Sequence, residues 1–205
     1  LREGENEVVL RVTFQAPNSR WYSGAGIYRN VWMIRLPETH IPLDGIYTSS
    51  VETENGYDLT IDTELEWGAI TENYELEYCL HYAGDSKNSA ETENREIFRV
   101  KQPLTCGQNK ISMTIPVDNP RKWDITDPYL YDLQVCLWRE QETNSRELCQ
   151  QEHFRIGFRT IQFDPDRGFL LNGRKIRLNG ACDHHDLGAL ARLSTRKPCA
   201  VSSNS

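Results

Sequence analysis

The chain has 205 residues, a hydrophobic fraction of 38% and a formal net charge of −7. This apolar content is enough to build a buried core, and the length fits one or two domains. The acidic balance and the absence of a basic patch exclude nucleic acid as an expected partner. No apolar run approaches the roughly 18–20 residues that span a bilayer, so no membrane partner is expected.

The middle of the chain consists of short runs in which apolar and polar residues alternate, the period of a β-strand. About seven strands are predicted, at residues 45–53, 57–67, 72–82, 96–102, 107–117, 129–139 and 148–159. Their regular spacing, the turn signals between them and the absence of a helical period are typical of an immunoglobulin-like β-sandwich. Two earlier strands, at 7–14 and 30–36, are predicted to be the last strands of another β-sandwich.

Residues 159–190 are predicted to form a hairpin, a further strand and a polar loop. Asn172 and Gly173 between two apolar runs are the strongest short hairpin signal. Alternation over 175–181 predicts the strand that follows, and a strand that delivers reactive side chains to a loop is typical of the rim of a site. The polar residues delivered there are Cys182, Asp183, His184, His185 and Asp186.

The six cysteines have no Cys-x-x-Cys spacing, which does not favour a zinc site. Cys79 and Cys136 lie in strand-like runs, opposite the apolar face, and are interpreted as free thiols. A disulfide stays open, because connectivity cannot be derived from sequence. A periplasmic or secreted location is slightly favoured, and other compartments stay open.

Three blocks of sequence resemble glycoside hydrolase family 2, in the order that family has them. Residues 19–33, SRWYSGAGIYRNVWM, resemble the closing motif of its sugar-binding jelly-roll domain. Residues 119–135, NPRKWDITDPYLYDLQV, resemble a segment of its immunoglobulin-like middle domain. Residues 157–190, which include the hairpin and the polar loop, resemble the entry to its catalytic (β/α)8 TIM barrel. The likeness is greatest to β-galactosidase-like members, and β-glucuronidases and β-mannosidases share the layout.

The resemblance implies an organisation that is all-β over the residues present. Residues 1–37 would be the remnant of a jelly roll, 38–158 an immunoglobulin-like β-sandwich, and 159–190 the start of a truncated TIM barrel. The last fifteen residues, 191–205, depart from the family, which continues Gly-Ala-Ala-Phe-Asn after the position of Leu190. We hypothesise that one nucleotide is deleted after the codon of Leu190, so that the family's continuation is read out of frame in residues 191–205. The nucleotide sequence tests this hypothesis.

The implied activity is that of a retaining exo-β-glycosidase, a β-galactosidase first, with a carbohydrate substrate and no cofactor. Such enzymes use two glutamates whose carboxyl groups lie about 5–5.5 Å apart. In the family both come from later barrel strands, so this chain is expected to be inactive by itself. The sequence leaves open whether the protein is a homo-oligomer. The alternative to the glycosidase function is a non-enzymatic β-sandwich that serves as a spacer or a carbohydrate-binding module.

Pairs of acidic residues are present, and alternation places both members of a pair on the same face. We expect that face to be exposed to solvent and these residues not to be catalytic. These pairs are Glu52 and Glu54, Glu64 and Glu66, Glu75 and Glu77, and Asp164 and Asp166.

His184 is the leading candidate for substrate binding, because it matches the family's active-site histidine that helps bind sugar hydroxyls. Asp183 and His185 are weaker candidates, since the family more often has other residues there. The alternative is a structural turn at the barrel rim. A metal site in residues 183–186 is not favoured, because adjacent residues of an extended loop point in different directions.

An aromatic loop near the start of the chain is a further candidate for sugar contacts, although packing between domains is the preferred interpretation. Its members are Arg20, Trp21, Tyr22 and Tyr28.

Overall fold

The computed structural model describes residues 4–13, 15, 26–27, 30–69, 73–82, 95–141 and 145–180. The chain divides into two compact units, Leu1–Leu36 and Pro37–Ser205. Every regular element in the described residues is a β-strand, which confirms the all-β prediction. Nowhere in these ranges is there a helix with the length and apolarity to cross a membrane.

The strands of the second unit follow one another in chain order, and the seven predicted central strands are found as β1 to β7. The described strands are β1 (Ile46–Glu52), β2 (Gly56–Glu64), β3 (Tyr74–Tyr82), β4 (Glu96–Pro103), β5 (Lys110–Asp118), β6 (Tyr131–Glu140), β7 (Arg146–Ile156), β8 (Ile161–Asp164), β9 (Gly168–Leu171) and β10 (Arg174–Lys175). Strong period-2 alternation explains this success, since it is the pattern of a strand with one buried face.

The strands form three antiparallel sheets. One has three strands in the order β1-β2-β5, one has four in the order β4-β3-β6-β7, and the hairpin sheet has the order β10-β9-β8. The first two sheets share one core, in which Ile61 of β2 lies with Leu76 of β3 and Leu133 of β6, all fully buried. A buried hydrogen bond of 2.9 Å between the hydroxyls of Thr63 and Tyr78 joins the two sheets through side chains.

Three predicted strands are wrong in whole or in large part. No strand occurs within the described parts of 7–14 and 30–36, where Val8 and Trp32 are 80% and 79% exposed. The strand predicted at 175–181 is limited to β10, and Leu178 beyond it is 66% exposed. Alternation alone does not make a strand, because the backbone groups need a neighbouring strand to bond.

Leu133→Ala is expected to lower the free energy of unfolding by about 3 kcal/mol, because it opens a cavity between the two sheets. Urea unfolding of the full chain measures this change. Val51→Ala is the matched control, since Val51 lies on β1 and is 67% exposed, and its expected effect is below about 0.5 kcal/mol. Equal effects of the two substitutions would contradict the core described here.

Candidate functional site

The predicted sugar contacts Asp183, His184 and His185 lie outside the described residues, so their placement stays a prediction. The same is true of the aromatic loop with Arg20, Trp21, Tyr22 and Tyr28. The structure does describe the segment that leads to His184, residues 157–180.

The segment has two turns, one between β8 and β9 and one at Asn172 and Gly173, and the second agrees with the turn predicted from sequence. Asp164 Oδ1 accepts the N–H groups of Asp166 (2.9 Å) and Arg167 (2.8 Å), and these bonds hold the pKa of Asp164 below its usual value. Asn172 and Gly173 both have positive φ, 50° and 76°. Two successive positive φ angles are what a type I′ hairpin turn requires.

Asn172 also joins the hairpin to the rest of the second unit by hydrogen bonds, a role that the sequence analysis did not predict. Its backbone N–H donates to Thr160 O (2.8 Å), and its Oδ1 accepts the Thr160 N–H (3.0 Å). Its Nδ2 donates to the carbonyl of Trp123 in the connector before β6 (3.0 Å). One side chain therefore fixes the hairpin against two separate segments.

Thr160 extends this attachment to the three-stranded sheet. Its hydroxyl lies 3.0 Å from Tyr57 Oη and donates to a carboxylate oxygen of Glu52. Lys122 Nζ lies 2.5 Å from the other oxygen of Glu52, and this bond lowers the pKa of Glu52 and raises that of Lys122. Ionised partners of this kind make stronger hydrogen bonds than neutral ones.

Phe158 completes the attachment from inside the core. It is fully buried, and its ring lies 5.4 Å from that of Tyr57 and 5.1 Å from that of Tyr131. The backbone N–H of Trp123 donates to Phe158 O (2.8 Å). We call this group the hairpin anchor: Glu52, Tyr57, Trp123, Phe158, Thr160 and Asn172.

The acidic pairs are exposed or half-buried as predicted, with one exception. Glu77 lies on the outer face of β3 and is only 2% exposed, which corrects the prediction of a wet pair there. Its carboxylate oxygens lie 2.8 Å from Arg99, 3.3 Å from Arg146 and 3.7 Å from Lys101. The long side chains of these cations cover the carboxylate, an arrangement that alternation does not predict.

Glu75 shares two of these cations, since Arg146 lies 3.1 Å and Lys101 3.6 Å from it. An open cavity of about 310 Å³ lies beside them, lined in part by Trp138. Arg146 stands over the Trp138 ring at 4.3 Å.

The chain's family emerges from comparison with known proteins. The family described as Glycosyl hydrolases family 2 matches residues 39–159, more than half of the chain. The chain therefore belongs to glycosyl hydrolases family 2, as the three blocks of sequence predicted.

The relatives include enzymes of two named specificities. Beta-galactosidase BoGH2A of Bacteroides ovatus is 36% identical over 198 residues, which are 93% of this chain and 22% of that protein. A putative beta-glucuronidase of Formosa agariphila is 26% identical over 200 residues, 96% of this chain and 17% of that protein. The chain thus spans about a fifth of the length of these relatives.

Solved structures agree with the sequence comparison. A family 2 member from Bacteroides cellulosilyticus has a TM-score of 0.68 at 26% identity, over 88% of this chain and 24% of its own. A beta-glycosidase from Bacteroides vulgatus has a TM-score of 0.67 at 27% identity, over 86% of this chain and 21% of its own.

Asn172→Gly is expected to speed hydrogen exchange at the Thr160 amide while leaving the turn intact, because glycine keeps the positive φ and removes only the side-chain bonds. Exchange followed by nuclear magnetic resonance measures this. Asn119→Gly is the matched control, since Asn119 also has positive φ, 41°. Unchanged exchange at Thr160 in Asn172→Gly would contradict the anchor.

Glu77→Gln is expected to cost about 2 kcal/mol of stability, because it leaves three neighbouring cations without their shared buried anion. The value lies below that of a fully buried pair, since these cations are 39–45% exposed. Urea unfolding measures the change. Glu66→Gln removes a carboxylate that is 66% exposed, and we expect it to cost less than about 0.5 kcal/mol. The prediction fails if both variants unfold at the same urea concentration.

Proposed function

We propose that this chain is part of a retaining exo-β-glycosidase that acts on β-galactosides. Its residues would position and bind the substrate, and would not include the catalytic carboxylates. The observation behind the proposal is the 36% identity to a β-galactosidase over 93% of the chain. The β-glucuronidase names among the other relatives make β-glucuronides the alternative substrate.

The sheet order supports the proposed domain types. Seven antiparallel strands in two sheets of three and four, with their inner faces packed on one core, fit an immunoglobulin-like β-sandwich over residues 38–158. Residues 1–37 would then belong to the preceding jelly roll and 159–190 to the start of the TIM barrel.

The hairpin anchor supports a role in positioning. Active sites of TIM barrels lie at the carboxyl ends of the strands, where loop residues must be held in place. The anchor fixes residues 158–172 to the sandwich, and His184 follows twelve residues after Asn172. His184 would contact a sugar hydroxyl, with Asp183 and His185 beside it.

The chain by itself is not expected to hydrolyse glycosides. Glu75, which lines the cavity, and Glu77 on the same face of β3 are both engaged by cations. A carbohydrate-binding module remains the second candidate, favoured by Trp138 in the cavity next to Glu75. Arg146 over the Trp138 ring weakens it, because it occupies a face on which a sugar would stack.

A chimera tests the proposal. Residues 1–190 of this chain would replace the matching segment of the Bacteroides ovatus β-galactosidase, and the chimera is expected to hydrolyse a chromogenic β-galactoside. In the chimera, His184→Ala is expected to lower kcat/KM about 30-fold, or roughly 2 kcal/mol, through the lost bond to a sugar hydroxyl.

His153→Ala is the control for that substitution, because His153 lies exposed on β7. The isolated 205-residue chain is expected to show no turnover with the same substrate. Turnover by the isolated chain would refute its proposed non-catalytic role, and equal loss in the two histidine variants would refute the role of His184.

A further inference from the structure

Three side chains of metal-ligand type meet on the outer face of the four-stranded sheet, where β3 pairs with β4. One ligand atom from each of Cys79, His81 and Glu96 lies within 4.8 Å of the other two. Cys79 is buried, His81 half-buried and Glu96 exposed, so the group extends from the sheet to its surface. The function proposed above uses none of them.

A β-bulge produces this meeting. Cys79 pairs with Arg99 and Leu80 with Phe98, but the register then shifts and His81 pairs with Glu96. In a regular ladder the residue opposite His81 would be the apolar Ile97. The extra residue brings Glu96 to the outer face, beside a histidine that alternation already places there. Bulges are known to re-aim side chains in this way, often next to functional sites.

One ring nitrogen of His81 lacks a hydrogen-bond partner. Its Nδ1 is buried and has no hydrogen-bond partner in the structure. A buried polar atom without a partner is costly, so native structures seldom keep one without a reason. A bound cation is one such reason, because neutral imidazole is the commonest metal ligand.

The Arg99 guanidinium fixes the carboxylate of the group. Arg99 binds Oε2 of Glu96 through Nε at 2.9 Å and Nη2 at 2.8 Å, and its Nη1 lies 2.8 Å from Glu77. Arg99 therefore joins Glu96 to the buried Glu77. Cys79 as thiolate and Glu96 would bring two negative charges to a bound ion, and Arg99 orients the Glu96 carboxylate as outer-shell partners of metal ligands do.

We propose that Cys79, His81 and Glu96 bind a thiophilic divalent cation, Zn²⁺ by preference. A sulfur, nitrogen and oxygen set suits Zn²⁺, whereas Ca²⁺ and Mg²⁺ take oxygen ligands. The fourth tetrahedral position is left to water. Binding replaces the proton of the Cys79 thiol, which passes to solvent. The ion joins the edge strand β4 to β3, and the proposal departs from the sequence expectation of no metal.

Cobalt titration of the full chain tests the site, because Co²⁺ adopts the Zn²⁺ geometry and absorbs strongly in the near ultraviolet when a thiolate binds it. The wild type is expected to bind one equivalent with this thiolate band. Cys136→Ser is the matched control, since Cys136 is a buried free thiol on the same face, on β6, and it should keep the band. Cys79→Ser should lose it.

Glu96→Gln is a second test in which misfolding is not expected, since Glu96 is 39% exposed. It is expected to bind Co²⁺ at least about tenfold more weakly, the size of effect seen when metal sites lose supporting groups. Zn²⁺ should raise the urea midpoint of the wild type and Cys136→Ser more than that of Glu96→Gln. A wild type without the band, a Cys79→Ser variant that keeps it, or unchanged affinity in Glu96→Gln would each overturn the proposal.

Discussion

The packing of Tyr131 against Phe158 is the contact on which the rest of the second unit depends. Both rings are fully buried and meet edge to face at 5.1 Å. The Tyr131 hydroxyl accepts the N–H of Arg121 (2.7 Å), and burial raises the pKa of Tyr131 to about 12, so it stays a neutral phenol. This pair links the core, the connector before β6 and, through Phe158, the hairpin anchor, so a change that loosens it would affect all three.

The strands of the two large sheets could be predicted because each has one face in the core. Leu76, Tyr78 and Leu80 alternate with polar residues, and the structure buries all three. The burial of Glu77 on the opposite face could not be predicted, because it depends on cations from other strands. Sequence alternation describes one strand at a time, whereas the cover of an outer face is set by which strands lie side by side.

The candidate site was predictable only in part, for the same reason. The turn at Asn172 was recognisable, but its bond to Trp123 joins residues 49 positions apart. The pairing of His81 with Glu96 depends on a register shift that no local sequence pattern indicates. Membership of glycosyl hydrolases family 2 was recognisable from short blocks, because those blocks are local in sequence.

The bulge at His81 has a consequence for how this protein keeps apart from its own copies. β4 is an edge strand, and a straight, apolar edge would offer unpaired backbone groups to a second molecule. The bulge interrupts the ladder, and Arg99 and Lys101 place charge along the same strand. A molecule approaching this edge therefore meets a bent backbone and charged side chains, which disfavours the strand-to-strand pairing that begins aggregation.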